Sequence, residues 1–279
     1  MLTSLLAATA LGLVLQTGET AAPEARTVTE NDAKAIAFIE ESEALVHHPE
    51  DNGLESLSFD YVMAVPNIGN VGSVSVSWKK GDEDGNVTAT PDESVLPNLA
   101  MMGLNGEALT AMMVDSGKEM LALQRGLMKA QILEQAYVTM DGVEDGMVQM
   151  RCHPRGDSEL ALVNDMVVLF DPDGLMKEMR VAFEQQGMSI RAVEKFIWKP
   201  AANGSYVLEA RVAETDLPNP LGGGSMTMTQ TTSHEHITVG ELMLVSSFSV
   251  KMEAPMPGMG MDQKTEFTNI LVNGEMVGG

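Results

Sequence analysis

The sequence predicts an α+β fold, mainly β: a strongly curved antiparallel sheet, an open half-barrel of about ten or eleven strands, covered by one or two helices. Three observations lead there. Apolar and polar residues alternate over many stretches, as where Leu57, Phe59, Tyr61, Met63 and Val65 are interleaved with Ser58 and Asp60, the period of two that a half-buried strand needs. Neighbouring stretches are joined by tight-turn chemistry such as Asp171-Pro-Asp-Gly174 and Pro200-Ala-Ala-Asn-Gly204, which makes them antiparallel. One-sided alternation leaves a face that must be covered, and the few helical segments are the available cover.

The elements follow in chain order. Leu2 to Leu15 is an apolar run too short to span a bilayer, followed by small residues at Ala21, Ala22 and Ala25. Residues 1–25 read as a secretory signal, cleaved near Ala22 or Ala25, although no Lys or Arg precedes Arg26. Residues 26–279 read as a single domain. Thr27–Val46 predicts a helix, started by Thr29-Glu-Asn-Asp32 and striped with Ala35, Phe38, Ile39 and Leu45. Leu57–Val65 and Val74–Trp78 predict strands, with a turn over Gly81–Asn86. Residues 92–105 suggest a short helix and loop around Pro97. Residues 107–136 admit one long helix. The favoured reading is a hairpin across Asp115-Ser-Gly117 followed by a helix over about 125–135. Strands then dominate: Val148–His153, Met166–Phe170, Leu175–Glu184, Ile190–Lys199, Ser205–Ala213 and Ser225–Ile237. In Ser205–Ala213, the residues Tyr206, Leu208, Ala210 and Val212 are expected to share one face. The last hairpin, residues 237–272, closes around a methionine-rich tip holding Met252, Met256, Met259 and Met261, where prolines and glycines forbid regular structure.

Composition excludes several classes. The chain carries 40 acidic against 17 basic residues, a formal charge of −23. Nucleic acid and anionic membrane are therefore poor partners, since phosphate recognition needs clustered Lys and Arg. A 44% hydrophobic content in 279 residues is enough for a full core. Aromatics supply only 4% while methionine reaches 23 residues, so methionine, unbranched and adaptable, takes over part of the core filling. Cys152 is the only cysteine, which excludes an internal disulfide. Its place in an alternating stretch marks it as a small buried hydrophobe, with His153 on the opposite face.

Several segments resemble the outer-membrane lipoprotein carrier and lipoprotein-sorting superfamily. They are the first helix with Leu57–Val65 and Gly72–Lys79, Val114–Leu123, Met166–Arg180 with its turn, and the closing Gly240–Asn273 hairpin; together they touch most of residues 32–273. The resemblance implies export and an incomplete antiparallel barrel closed by helices. It also implies a lipid or lipidated protein as partner. The chain is longer and far more acidic than the carriers proper, and no lipid-contacting arginine can be placed by motif.

No local catalytic motif is present: Cys152 lacks an evident paired base and no Gly-x-Ser-x-Gly elbow occurs. The expected function is that of an exported, non-enzymatic binding protein of the periplasm or envelope, without cofactor or transmembrane span, holding an acyl chain or lipidated peptide in an apolar cleft. Phe59, Tyr61, Trp78, Met252, Met256 and Met259 are the expected cleft or rim residues. One alternative is a copper-binding protein using the methionine tip together with His234 and His236, two imidazoles on one strand face. Another is an envelope scaffold that binds a second protein through its sheet.

Overall fold

The structure is a computed structural model. It describes residues 28–277 apart from 29, 66–67, 83, 102–104, 127–132, 134, 157–162, 186–187, 219–223 and 254–259. The signal expected over 1–25, most of the helix expected over 125–135, and Met256 and Met259 lie outside the described residues. Among the described residues, fourteen strands form two antiparallel sheets. The larger is a meander of nine strands: β4 (Ala136–Glu144), β5 (Met147–Pro154), β6 (Val163–Phe170), β7 (Met176–Gln185), β8 (Met188–Pro200), β9 (Tyr206–Pro218), β10 (Ser225–Val239), β11 (Leu242–Glu253) and β12 (Met261–Glu266). The smaller combines β1 (Ser56–Val65), β2 (Gly69–Lys79) and β3 (Asn86–Pro91) with β13 (Thr268–Val272) and β14 (Glu275–Met276). Neither sheet closes on itself, and the half-barrel class holds. The strand count exceeds the expected ten or eleven, partly because the closing hairpin is divided. At Phe267, whose N–H donates to the Ser246 carbonyl (2.9 Å), the chain leaves β12 and enters the smaller sheet as β13.

Three helices lie among the described residues: α1 (Ala33–Glu43), α2 (Leu96–Met101) and α3 (Gly106–Arg125). α1 starts at Asp32, whose carboxylate accepts from Lys34 N–H, and buries Ala35, Ile39 and Ser42. The same stretch blunts an edge of the large sheet: Asn31 Oδ1 accepts from Val138 N–H, and the Val138 carbonyl accepts from Asp32 N–H (both 2.9 Å).

The hairpin expected over Asp115-Ser-Gly117 is wrong; the segment is the middle of α3. Asn105 caps the helix by accepting from Ala108 N–H (2.7 Å). Gly126, at φ 72°, ends it by donating to Ala122 and Leu123. Leu109, Met113, Gly117, Leu121 and Gln124 form its buried stripe, a helical spacing. Gly117 serves close packing instead of a turn: a Cβ there would stand 2.4 Å from Val87 Cγ1 and 3.1 Å from Val74 Cγ1. Gly→Ala inside a helix ordinarily stabilises by about 1 kcal/mol. Here the clash reverses the sign, and Gly117→Ala is expected to destabilise by roughly 1–3 kcal/mol. Denaturant melts check this: Val87→Ala in the same chain should recover most of the loss, and an additive double mutant would refute the contact.

The core has two parts. One lies between the small sheet, α3 and the start of β11. There Phe59, Tyr61 and Phe267 stack in a cluster, the Phe59 and Phe267 centroids lying 4.8 Å apart. Tyr61 Oη donates to Ser116 Oγ (2.9 Å) and ties β1 to α3. The other lies between α1 and the inner face of β4–β9, with Phe38 set edge-on to Phe170 at 5.3 Å. Register exposes a second departure from expectation. A bulge where Ile197 opposes Ala210 and Trp198 opposes Leu208 leaves Glu209 without a partner. Beyond it the alternation is reset, so Arg211 opposes buried Phe196, while Val212 opposes exposed Lys195. Leu208 and Val212 therefore do not share a face.

Candidate functional site

The inner face of the large sheet is not fully filled. Between it and α1 lies a small apolar cleft of about 70 Å³. Ile39, Ser42 and Glu43 of α1 form one wall. Met150, Cys152, Val168, Phe170 and Met176 form the floor, and Trp198 stands at one end. These residues are presented by the inward parity of β5 to β8, so the cleft is a property of sheet curvature and no one loop makes it. Trp198 is fixed by its Nε1–H, which donates to the Met176 carbonyl (2.6 Å).

Val46, Gly126 and Trp198 also border a second cavity, of about 40 Å³. This annex is more polar, with His47, Gln124 and His236 beside Leu208, Met243 and Val245. His47 and Gln124 have structural duties. β12 pairs with β11 only from Ser247 onward, which leaves the start of β11 as a bare edge. There Met243 N–H donates to His47 Nε2 (3.1 Å), Val245 N–H donates to Gln124 Oε1 (2.8 Å), and Gln124 Nε2 donates to the Val245 carbonyl (2.6 Å). Two side chains thus stand in for a missing strand. The acceptor role of Nε2 puts the His47 proton on Nδ1, which faces Ser205 Oγ at 3.3 Å. Burial, followed by the His48 charge, lowers the His47 pKa.

Beyond His236 the inward face of β10 carries His234 and Thr232, and β9 places Arg211 opposite Thr232. Arg211 Nη1 donates to Glu194 Oε1 at 3.1 Å, with side-chain exposures of 12% and 4%. Burial raises the Glu194 carboxyl, and the Arg211 charge pulls it back. Three buried polar atoms here have no hydrogen-bond partner: Arg211 Nε, His234 Nδ1 and His236 Nδ1. Burial, with the charges of Arg211 and His236, pushes the His234 pKa down to about 3. Burial, with Lys199, lowers that of His236 to about 4. Both rings are neutral at pH 7.

No family model, curated protein or solved structure matches this chain. The site must be read from its own chemistry. Phe59, Tyr61 and Trp78 are 1%, 2% and 3% exposed and belong to the core of the small sheet; none of them lines the cleft. Met252 is half-buried on β11 opposite Met261, at the far end of the large sheet. His234 and His236 do share one strand face, yet no group of three or more His, Cys, Asp or Glu that could hold a metal occurs among the described residues. Also among these residues, no helix is long and apolar enough to cross a membrane. In sequence the cleft-floor residues, from Met150 to Trp198, look like ordinary inward strand positions; only the assembled curvature separates them from filled core.

Cys152 sits in that floor, 3% exposed, and burial pushes its thiol up to about 12, so it is not a nucleophile at neutral pH. A thiol reagent such as DTNB is expected to label it in the native protein only at the rate of opening, and at once in denaturant. Immediate native labelling would show that the cleft floor is reachable from water.

Proposed function

We propose that this protein is an exported, non-enzymatic binding protein that holds an acyl chain, free or carried on a larger molecule, in the cleft between α1 and the inner face of the large sheet. The observation that carries this reading is the cleft lining, Met, Val, Phe, Ile and Trp side chains around a small cavity, a character suited to an apolar ligand. Methionine at Met150 and Met176 favours it further, because thioether side chains re-pack around chains of differing shape. The apolar N-terminal run followed by Ala21, Ala22 and Ala25 supports export.

Native mass spectrometry of protein purified from its own envelope tests the reading, with displacement of an environment-sensitive apolar dye as the solution assay. A co-purifying lipid mass and saturable dye binding are expected. Val168→Trp, which fills the cleft from its floor, should abolish both while leaving the circular dichroism spectrum intact. Dye binding that survives Val168→Trp would place the ligand elsewhere and sink the reading.

A further inference from the structure

Among the described residues, the sheet edges are guarded with one exception. β4 is held at Val138, whose N–H and carbonyl bond to Asn31 and Asp32. β12 exposes Asp262, Lys264 and Glu266. The bare start of β11 is capped by His47 and Gln124, and β14 is only two residues long. The exception is β3, which reads Asn-Val-Thr-Ala-Thr-Pro over Asn86–Pro91. It is the terminal strand of the small sheet. It runs beside β2 without a bulge, from Asn86 opposite Ser77 to Pro91 opposite Gly72. Native sheets keep other strands away with charges, bulges, short edges or covering segments. β3 carries no charge and no bulge, and its one proline stands at its end.

The surroundings of this edge favour approach. Asn86, Thr88 and Thr90 are exposed, and Ser73, Ser75 and Ser77 of β2 continue the same face, so the surface bordering the edge is made of short side chains. Val87 on the other face packs against α3 at Gly117, which backs the strand. Charge at the two ends then narrows the partner. Asp82 and Asp84 precede the strand, Asp92 and Glu93 follow it, and all four are exposed. Asp82 is placed by accepting from Gly85 N–H (3.2 Å) and Asp92 by accepting from Ser94 N–H (2.9 Å). The bases nearest the first end lie on the β1 side: Lys80 bonds to Glu55 at 3.2 Å, and Lys79 stands opposite Ser56. Around its crossing point α3 adds Asp115, Lys118 and Glu119, again net acidic. An antiparallel second copy of β3 would bring Asp84 of one chain towards Asp92 and Glu93 of the other, which repel. A strand with basic residues at both ends is attracted instead.

We propose that β3 is a docking edge for an extended segment of another protein, a short uncharged run flanked at both ends by Lys or Arg, which joins the small sheet as a further strand. Main-chain hydrogen bonds to the outer side of β3 supply the pairing, and the acids at its two ends select the partner. This site is separate from the cleft and independent of the acyl-chain reading.

Fluorescence anisotropy with three labelled peptides tests this on the full chain. The probes are Lys-Lys-Thr-Val-Thr-Val-Thr-Lys-Lys, the same peptide with Glu in place of every Lys, and the lysine peptide N-methylated at its central residues. The lysine peptide should bind roughly tenfold or more tighter than the glutamate one, and the difference should shrink as salt screens it. The N-methylated form should not bind, because it lacks the amide donors that a new strand needs. Asp84→Asn/Glu93→Gln, which changes two exposed positions, should lower the lysine preference severalfold. Hydrogen exchange with the lysine peptide bound should show new protection over residues 86–91 and none over 261–266. Absence of lysine-peptide binding, equal affinities for the two charge forms, undiminished binding of the N-methylated form or protection at another edge would each overturn the proposal. Protection of residues 86–91 that grows with protein concentration alone would give the edge to a second copy of this chain and overturn it likewise.

Discussion

Arg211→Met alone is expected to destabilise the protein by about 3–5 kcal/mol, and the double change Arg211→Met/Glu194→Met to restore most of that loss. Breaking a buried ion pair from one side strands the other charge away from water, whereas replacing both by apolar groups of similar volume is close to neutral. Glu194 is 3% exposed and its carboxyl is bonded to Arg211 Nη1, so the single mutant leaves a carboxylate in the interior. It escapes only by taking up a proton, and burial already raises its pKa. The single mutant should therefore regain stability as pH falls towards 5, in the opposite direction to the native chain. Urea melts of native, single and double mutant at neutral and mildly acid pH give the three-way comparison. A single mutant as stable as the native chain would mean that water reaches the pair.

The second large effect is acid lability in the native protein. His234 and His236 have folded pKa values of about 3 and about 4, below the value of about 6.5 for an unfolded histidine. Over that interval the unfolded chain binds protons that the folded one refuses, so stability rises with pH. Their contribution is fully present above about pH 6.5 and is lost as pH falls through 6 towards 4, a change on the order of a few kcal/mol. His47 adds in the same direction, and its protonation would also remove the acceptor that Met243 N–H requires. A formal charge of −23 works against this trend, since acid relieves repulsion among carboxylates. The decisive measurement is thus a difference: the pH slope of His234→Leu/His236→Leu should be shallower than that of the native protein between pH 6.5 and 4, by up to about 1.4 kcal/mol per pH unit per histidine. Identical slopes would place the two rings in contact with water.

Much of the fold was legible because alternation and turn chemistry are local. Asp171 illustrates it: its carboxylate accepts from Asp173 and Leu175 N–H, a turn that any reader of Asp-Pro-Asp-Gly expects. What failed was non-local. Asp115-Ser-Gly117 has turn composition, but the glycine is needed where α3 crosses Val74 and Val87, a contact that no window of sequence displays. Alternation correctly buried Phe59, Tyr61 and Trp78, yet could not tell a filled core from a cleft wall. Arg211 is hidden in the sequence for a sharper reason. Uninterrupted period-two counting places Val212 inside, and one unpaired residue, Glu209, reverses the parity. The polar end of the candidate site was therefore hidden by a bulge.

The two sheets also differ in when they can be completed. Each strand of the nine-strand meander meets the strand made just before it, so its pairs form from nearby segments as the chain emerges. The small sheet cannot follow that order: β1 has β13 as one neighbour, with Leu57 opposite Val272, and loop closure over such a span is slow. Until β13 arrives, the β1–β2 hairpin holds Phe59, Tyr61 and Trp78 beside an unoccupied edge, the kind of surface on which nascent chains aggregate. The β1 edge is consequently bare for as long as the meander takes to be made, and β13 is the latch that closes it.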